Sequence, residues 1–244
     1  GNADASGDKL NLLLPKPQRA MVDAVLKVGK PTVIVLLAGS SIDLGEASEK
    51  ANAVLLGWYP GARGGKAIAE LLLGKASPSG KLPVTFYHND QLDQMPAFTD
   101  YAMAGRTYRY IDHEPLYPFG YGLTYGDTLV TAASAEKTEK GVRVTVTCEN
   151  RGAAATQDVV QIYCQNEGSA LAPKHPRLCG FKRVSIPAGG SAEAVIDIEA
   201  ERFLVVAEDG SAVSEGSVVL YAGMGQPDAL TEKLTGHQAV RIAL

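Results

Sequence analysis

The chain lacks any long apolar run. A membrane-spanning helix needs roughly 18 or more consecutive apolar residues, and the longest run here, Thr32 to Gly39, has the length of a strand. A membrane partner is therefore not expected. It also lacks a basic block. The 23 basic residues are outnumbered by 27 acidic ones, for a net charge of −4, and nothing resembles the Lys/Arg patch that draws a phosphate backbone, so nucleic acid is not expected either. Cysteine is scarce. Cys148, Cys164 and Cys179 are odd in number and form no C-x-x-C pair, which argues against a full disulfide set and against a zinc site. Buried free thiols suit a reducing compartment, so the expected setting is cytoplasmic, with secretion left open.

What is present suffices for real cores. Hydrophobic residues make up 45% of the 244 and charged ones 20%, the balance of one large or two ordinary domains. Gly1 stands where an initiator Met would, and no signal peptide follows it, so a missing upstream part is expected.

The character of the sequence changes at Leu116–Tyr125, Leu-Tyr-Pro-Phe-Gly-Tyr-Gly-Leu-Thr-Tyr. Its glycines allow backbone angles closed to the aromatics beside them, and the aromatics carry enough area to join two units. The stretch is expected to be an extended, largely buried linker touching a domain on each side. Phe119→Ala should cost roughly 3 kcal/mol or more if Phe119 is fully buried. A dinucleotide loop does not fit, because Gly120 to Gly126 has one residue too many for G-x-G-x-x-G and no helical run follows.

Before that stretch, residues 1–115 read as an α/β domain. Pro15 and Pro17 lead into a helix with Met21, Val22, Val25 and Leu26 at helical spacing, ended by Gly29. Pro31 to Gly39 and Ala53 to Tyr59 read as parallel strands buried on both faces, with a short helix over Ala47 to Ala51 between them. Ser40-Ser41 follows the first strand at the end where α/β proteins place sites, but no second glycine completes a nucleophile elbow. Gly61-Ala-Arg-Gly64-Gly65-Lys66 opens a further helix, closed by Gly74. It is not a phosphate loop, since Pro60 and Ala67 occupy the positions of the first glycine and the hydroxyl residue. No cofactor is expected. Leu82 to Phe86 and Thr107 to Ile111 read as extended segments. His88 to Arg106 reads as a long irregular loop of the kind that is usually functional.

After it, residues 126–244 alternate with period two. Val142, Val144, Val146 and Cys148 are interleaved with Arg143, Thr145, Thr147 and Glu149, and similar runs follow between turn signals. Short alternating strands at this spacing predict an immunoglobulin or fibronectin III-like β-sandwich. His175, among Pro173, Lys174 and Pro176, reads as a solvated loop histidine with no metal partner at ligand spacing.

Several motifs, in order, resemble glycoside hydrolase family 3. Trp58-Tyr-Pro-Gly61 with Gly64-Gly65, Pro78-Ser-Gly-Lys-Leu-Pro83, Arg106-Thr-Tyr-Arg-Tyr110 and Pro118-Phe-Gly-Tyr-Gly-Leu-Thr124 are similar to that family's α/β sandwich domain. Glu149-Asn-Arg-Gly152, Asp158-Val-Val-Gln-Ile-Tyr163 and Gly180-Phe-Lys-Arg183 are similar to its fibronectin type III-like domain. The resemblance implies three segments: the α/β sandwich over 1–115, the aromatic linker over 116–125 and the fibronectin-like domain over 126–244. It also implies a retaining exo-acting β-glycosidase of β-glucosidase or β-xylosidase type, acting on an oligosaccharide or glycoside. In the family the nucleophilic Asp belongs to a barrel, which nothing here resembles. The acid/base Glu precedes a Gly-Asp-Arg/Lys element, here Gly7-Asp8-Lys9, and no Glu occurs before Glu46. Both catalytic carboxylates are thus expected outside this chain, on a barrel-bearing N-terminal polypeptide of the same enzyme, and this chain alone is expected to be inactive. Asp4 and Asp8 remain as candidate substitutes, and Arg106 as a pocket-proximal residue, in a structural salt bridge or against substrate. The loop that ends at Arg106 is expected to face the barrel and wall the pocket. The alternative is a non-catalytic accessory module that binds carbohydrate or protein.

Overall fold

The computed structural model describes residues 9–97 and 99–244. The chain forms two compact units. One comprises the chain up to Lys75 with Phe86–Met95, and the other Ala76–Thr85 with Pro96–Leu244.

The first unit is α/β. Helix α1, Lys16–Leu26, carries Pro17 in its first turn, where a missing N–H costs nothing, and Gly29 follows it at φ 71°. Strand β1, Val33–Leu36, pairs in parallel with β2, Ala53–Leu56, in the register Val33 to Ala53 through Leu36 to Leu56. The short helix α2, Glu46–Lys50, lies between them in sequence, and α3, Gly64–Leu72, follows β2. Gly64 fits where a Cβ would lie 2.4 Å from the Pro60 ring, so the close approach at this turn is to that ring.

Two expectations fail in this unit. The strands are not buried on both faces: Val33 is 47% exposed and Val54 39%. Helix α1 buries none of its residues, and its apolar Met21 is 61% exposed. Among the described residues β1 and β2 pair only with each other, so this stretch supplies a single thin layer. Among the described residues the segment from His88 is irregular from Met95 to Arg106, as expected, but it opens with an ordered element. His88 donates its N–H to Gln91 Oε1 at 2.8 Å, capping a 3-10 helix over Asn89–Gln94.

The second unit is a sandwich of seven main strands. One sheet holds β3 (Thr128–Thr138), β4 (Gly141–Asn150) and β7 (Ser191–Glu199). The other holds β5 (Thr156–Glu167), β6 (Arg177–Ile186), β10 (Ser217–Gly223) and β11 (Val240–Ala243), in the order β11-β10-β5-β6. A ribbon of β8 (Val205–Val206) with β9 (Ala212–Val213) lies apart from these sheets, and helix α5, Ala229–Thr235, joins β10 to β11. The period-two residues do what their spacing predicts. Val144, Val146 and Cys148 of β4 meet Val160, Ile162 and Cys164 of β5, all fully buried, with Ile186, Ala194 and Leu220.

Strand β5 departs from simple alternation because its outer face is covered too. Gln161 and Tyr163 point away from the core yet are buried. Gln161 Nε2 donates to the carbonyls of Gly120 (2.9 Å) and Met224 (3.1 Å), and Tyr163 Oη donates to Gln161 Oε1 at 2.7 Å. Gly120 has φ 78°, and a Cβ there would lie 2.2 Å from Gln161 Oε1, so conformation and space both require glycine. The aromatic stretch is thus laid on the sandwich. Pro118 is buried, Phe119 is half-buried and Leu123 and Tyr125 are exposed. Phe119 therefore falls short of the full burial on which the larger cost of truncation depended.

Two extended segments expected nearby take other forms. Leu82 to Phe86 is interrupted by Pro83, which cannot donate to a ladder. Leu82 pairs with the aromatic stretch, donating its N–H to Tyr121 O and accepting from Gly120 N–H, both at 2.8 Å. Thr107–Tyr110 is one helical turn, α4, with Thr107 at φ 54°. Tertiary packing overrides the β-propensity of Thr-Tyr-Arg-Tyr there, because the turn buries Tyr108. His175 is not simply solvated. Its Nε2 lies 2.8 Å from Ile111 O, and its N–H donates to Arg109 O at 3.1 Å.

Beneath the stretch lies a buried ion pair. Lys81 Nζ is 2.8 Å from Asp158 Oδ1 and donates to Gly122 O at 2.6 Å. Asp158 also accepts from Thr128 Oγ1 (2.5 Å) and Val159 N–H (2.7 Å). Removing the cation would leave a fully desolvated carboxylate. Lys81→Met should therefore lower unfolding free energy by about 3–5 kcal/mol, read by chemical denaturation; a loss under about 1 kcal/mol, the range of an exposed pair, would show that Asp158 does not depend on it. Burial pushes the Cys148 thiol up to about 12. Ellman's reagent at about pH 8, where an ordinary thiol is partly ionised, should leave Cys148 unreacted until the protein is unfolded.

Candidate active-site face

The loops at the C-terminal ends of β1 and β2 carry the first unit's polar cluster, the place where open α/β sheets bind ligands. After β1 the chain runs through Gly39 to Ser40 and Ser41. Lys9 Nζ donates to Ser40 Oγ and to Ser41 O, both at 3.1 Å. Partial burial pulls the pKa of that ammonium below the ordinary lysine value. Asp43 comes next, buried and enclosed in a circuit. Its Oδ1 accepts from Gly45 N–H and its Oδ2 from Asn89 N–H, both at 2.8 Å. Asn89 Oδ1 accepts from Leu12 N–H at 2.9 Å, and Leu12 O accepts from Asp43 N–H at 2.8 Å. These bonds tie together three segments distant in sequence: residues 9–13, the loop after β1 and the 3-10 helix.

After β2 the backbone turns sharply. Trp58 has φ 49°, a sparsely populated region for a bulky residue. Its ring meets Phe86 edge to face at 6.1 Å. Tyr59, 84% exposed, lies so close over Gly39 that a Cβ there would sit 2.2 Å from the Tyr59 hydroxyl. The face therefore offers a hydroxyl, a cation and an aromatic ring. It does not offer a free carboxylate pair. Asp43 is the only buried carboxylate of this unit among the described residues, and both of its oxygens are engaged by backbone N–H groups. Among the described residues, no group of three or more His, Cys, Asp or Glu could hold a metal, and no helix is long and apolar enough to cross a membrane.

Of the residues singled out from sequence, Asp4 and Asp8 lie outside the described residues. Arg106 belongs to the second unit and holds its own loop. Its Nη2 donates to the carbonyls of Pro96 (3.2 Å), Ala97 (2.7 Å) and Asp100 (2.9 Å), and its Nε to Ala102 O (3.3 Å). The guanidinium fork thus gathers the carbonyls of Pro96, Ala97, Asp100 and Ala102 to itself, and Tyr101 projects from this loop 89% exposed. Asp43 and Asn89 were not singled out from sequence, and Lys9 and Tyr59 appeared only inside motifs of the resemblance, not as site residues. Ser40-Ser41 was placed correctly at the strand end, but the cation facing it lies 31 residues away in sequence.

Comparison with known proteins places this geometry. The glycosyl hydrolase family 3 C-terminal domain matches residues 2–125, and a fibronectin type III-like domain matches residues 158–226. The chain belongs to glycosyl hydrolase family 3. It is 40% identical over 197 residues to a xylan 1,4-beta-xylosidase of Xylanibacter ruminicola, covering 80% of this chain and 22% of that protein. It is 33% identical over 221 residues to a periplasmic beta-glucosidase of Salmonella typhimurium, covering 83% and 29%. Among solved structures, DesR, a beta-glucosidase from Streptomyces venezuelae in complex with D-glucose, superposes with a TM-score of 0.83 at 29% identity, covering 97% of this chain and 32% of that one. The chain thus spans less than a third of the length of the curated relatives it matches.

The Arg106 loop gives a local prediction. Arg106→Ala leaves carbonyls to water and loosens residues 96–106 without touching either core. Chymotryptic cleavage after Tyr101 should accelerate about tenfold, as opening becomes easier by about one charged hydrogen bond, while the global unfolding midpoint hardly moves. Unchanged cleavage would show that the loop is held by something else.

Proposed function

We propose that this chain is the C-terminal portion of a retaining, exo-acting β-glycosidase that hydrolyses terminal β-glucosides or β-xylosides, completing the active site of a barrel carried by an N-terminal polypeptide of the same enzyme. The observation that carries the reading is the engagement of Asp43. Retaining hydrolysis needs two carboxyl groups about 5 Å apart, one as nucleophile and one as acid/base. The strand-end face presents Lys9, Ser40 and Tyr59, which can position a sugar, but its buried carboxylate is already committed to two N–H groups. The reacting pair then comes from elsewhere. The exposed apolar side chains of α1, β1 and β2 support the same reading, since a large apolar patch is usually covered by a partner. The loop pinned by Arg106 would present Tyr101 to the barrel's pocket.

The experiment is an assay of the 244-residue chain alone on aryl β-glucoside and aryl β-xyloside, then with the barrel part added. We expect no turnover alone, then turnover and a complex that survives gel filtration after mixing. Turnover by the isolated chain would overturn the reading and return Asp4 and Asp8 as candidates. No complex and no activity would favour the non-catalytic accessory module.

A further inference from the structure

Two cysteines that the glycosidase reading does not use meet across neighbouring strands of the β-rich unit. Cys164 lies on β5 and Cys179 on β6. The strands pair antiparallel, and their register shifts between Ile162, opposite Gly180, and Tyr163, opposite Leu178. Cys179 is the residue left over at that bulge. Its side chain packs against the core that holds Cys164, so both thiols point to the same face, where diagonal neighbours come within reach of each other. The two thiols are hydrogen-bonded to each other. Each sulfur also meets one carbonyl. Cys179 Sγ lies 3.3 Å from Ile162 O, and Cys164 Sγ 3.7 Å from Arg202 O.

The surroundings treat the two sulfurs differently. Arg177 stands opposite Cys164 in the register, and its Nη2 donates to the carbonyls of Arg202 (3.0 Å) and Leu204 (2.8 Å). The hydrogen bond from Cys179 and the charge of Arg177 pull the Cys164 thiol below its ordinary value, against the effect of burial. The same hydrogen bond, with burial, holds Cys179 well above it. Cys164 is thus the sulfur that ionises, and the thiolate is the nucleophile. Access follows from the strand order. Strand β6 is at the edge of its sheet, the bulge disrupts its ladder, and such places open locally more easily than a core. Cys179 is partly exposed even when closed. We propose that Cys164 and Cys179 form a redox-sensitive site that closes to a disulfide on reaction with hydrogen peroxide. The Cys164 sulfur attacks one peroxide oxygen, the O–O bond breaks, and the departing hydroxide takes up the proton that Cys164 gave up. The Cys179 sulfur then attacks the sulfenic sulfur, and its own proton leaves with the displaced hydroxide as a second water. Two thiols and one peroxide become one disulfide and two waters. Each sulfur is oxidised by one electron, and each peroxide oxygen is reduced by one. The bond closes a loop over residues 165–178, in which Lys174 pairs with Asp112 and His175 with Ile111 O, so oxidation fixes the loop that fastens this segment.

The test treats the folded 244-residue chain with hydrogen peroxide, blocks the remaining thiols with iodoacetamide under denaturing conditions and digests with trypsin without reductant. The sequence suits this, because the three cysteines fall in separate tryptic peptides: Val144–Arg151, Gly152–Lys174 and Leu178–Lys182. We expect the second and third peptides to appear joined, with a mass lower by two hydrogens, and to separate with dithiothreitol. Cys148, whose thiol burial pushes up to about 12, serves as the internal control. The pair should be lost at least about tenfold faster than Cys148, as expected of a thiolate beside a buried thiol. The variant Cys179→Ala, with its thermal midpoint recorded to show that it is folded, should give no linked peptide and a slower loss of the Cys164 thiol. Absence of the linked peptide from the native chain, a link that forms only after unfolding, oxidation of Cys148 at the rate of the pair, or an unchanged rate for Cys164 in folded Cys179→Ala would each overturn the proposal. None of these outcomes depends on the glycosidase reading.

Discussion

The β-rich unit depends on the covering of the outer face of β5. A strand in a two-layer sandwich normally offers one face to the core and one to water. Here the outer face carries Gln161 and Tyr163, and burying it removes an amide and a phenol from solvent; Asp158, on the same side of the strand as Val160 and Ile162, is buried as well and takes a carboxylate with it. Each must then be answered. Lys81 answers Asp158, the Gly120 carbonyl answers Gln161, and Gln161 answers Tyr163. Desolvation pushes the Tyr163 pKa well above that of an ordinary phenol, so it stays a neutral donor. The path of residues 116–122 is set by these partners. Gly120 must take a positive φ, and Gly122 must pass where a Cβ would lie 2.1 Å from Gly80 O. Even the segment Ala76–Thr85, which follows an α/β stretch in sequence, is drawn into the β-rich unit by this demand.

Much of the architecture was legible before any coordinates. The sandwich was, because a strand with one core face writes itself as period two, and Val142 to Cys148 does so without exception. The helices of the first unit were, because Pro17, Gly29 and Gly74 punctuate them. Their burial was not. An apolar run such as Val33 to Leu37 states that a strand wants both faces covered, and it does so whether or not the covering residues are at hand. Sequence therefore reported the environment these residues suit, and the coordinates report how much of it this chain provides.

The candidate site was legible in place but not in composition. The end of β1 could be marked by rule, and Ser40-Ser41 lies there. What the rule could not supply was the circuit that fixes the loop. Asp43, Asn89 and Leu12 share no motif, and their bonds span 77 positions in sequence at the widest. Arg106 shows the complementary case. Its chemistry was read correctly as a rigid multiple donor, but a guanidinium satisfies carbonyl oxygens as readily as a carboxylate when a loop curls around it. The fit of the fork to a carboxylate made an ion pair the natural expectation, and within this chain the same fork is spent on carbonyls.

Strain follows the same logic. Among the described residues, Trp58 and Thr107 are the only non-glycines with positive φ, a conformation that costs of order 1–3 kcal/mol at such residues and persists only where its surroundings hold it. In each case an aromatic anchor does the holding. Trp58 turns its own ring edge-on to Phe86. Thr107, β-branched and so especially ill suited to the angle, turns the chain so that Tyr108 is buried. That ring stacks on Phe119 at 4.4 Å and meets Tyr163 edge to face at 6.3 Å, and its hydroxyl accepts the N–H of Leu178 at 3.0 Å. Two aromatic contacts of about 0.5–1.5 kcal/mol each, with a hydrogen bond and the burial of the ring itself, outweigh the backbone penalty. The four residues from Thr107 favour an extended strand locally, and they form a turn because only a turn brings Tyr108 onto the face of β5 that the rest of the unit is built to cover.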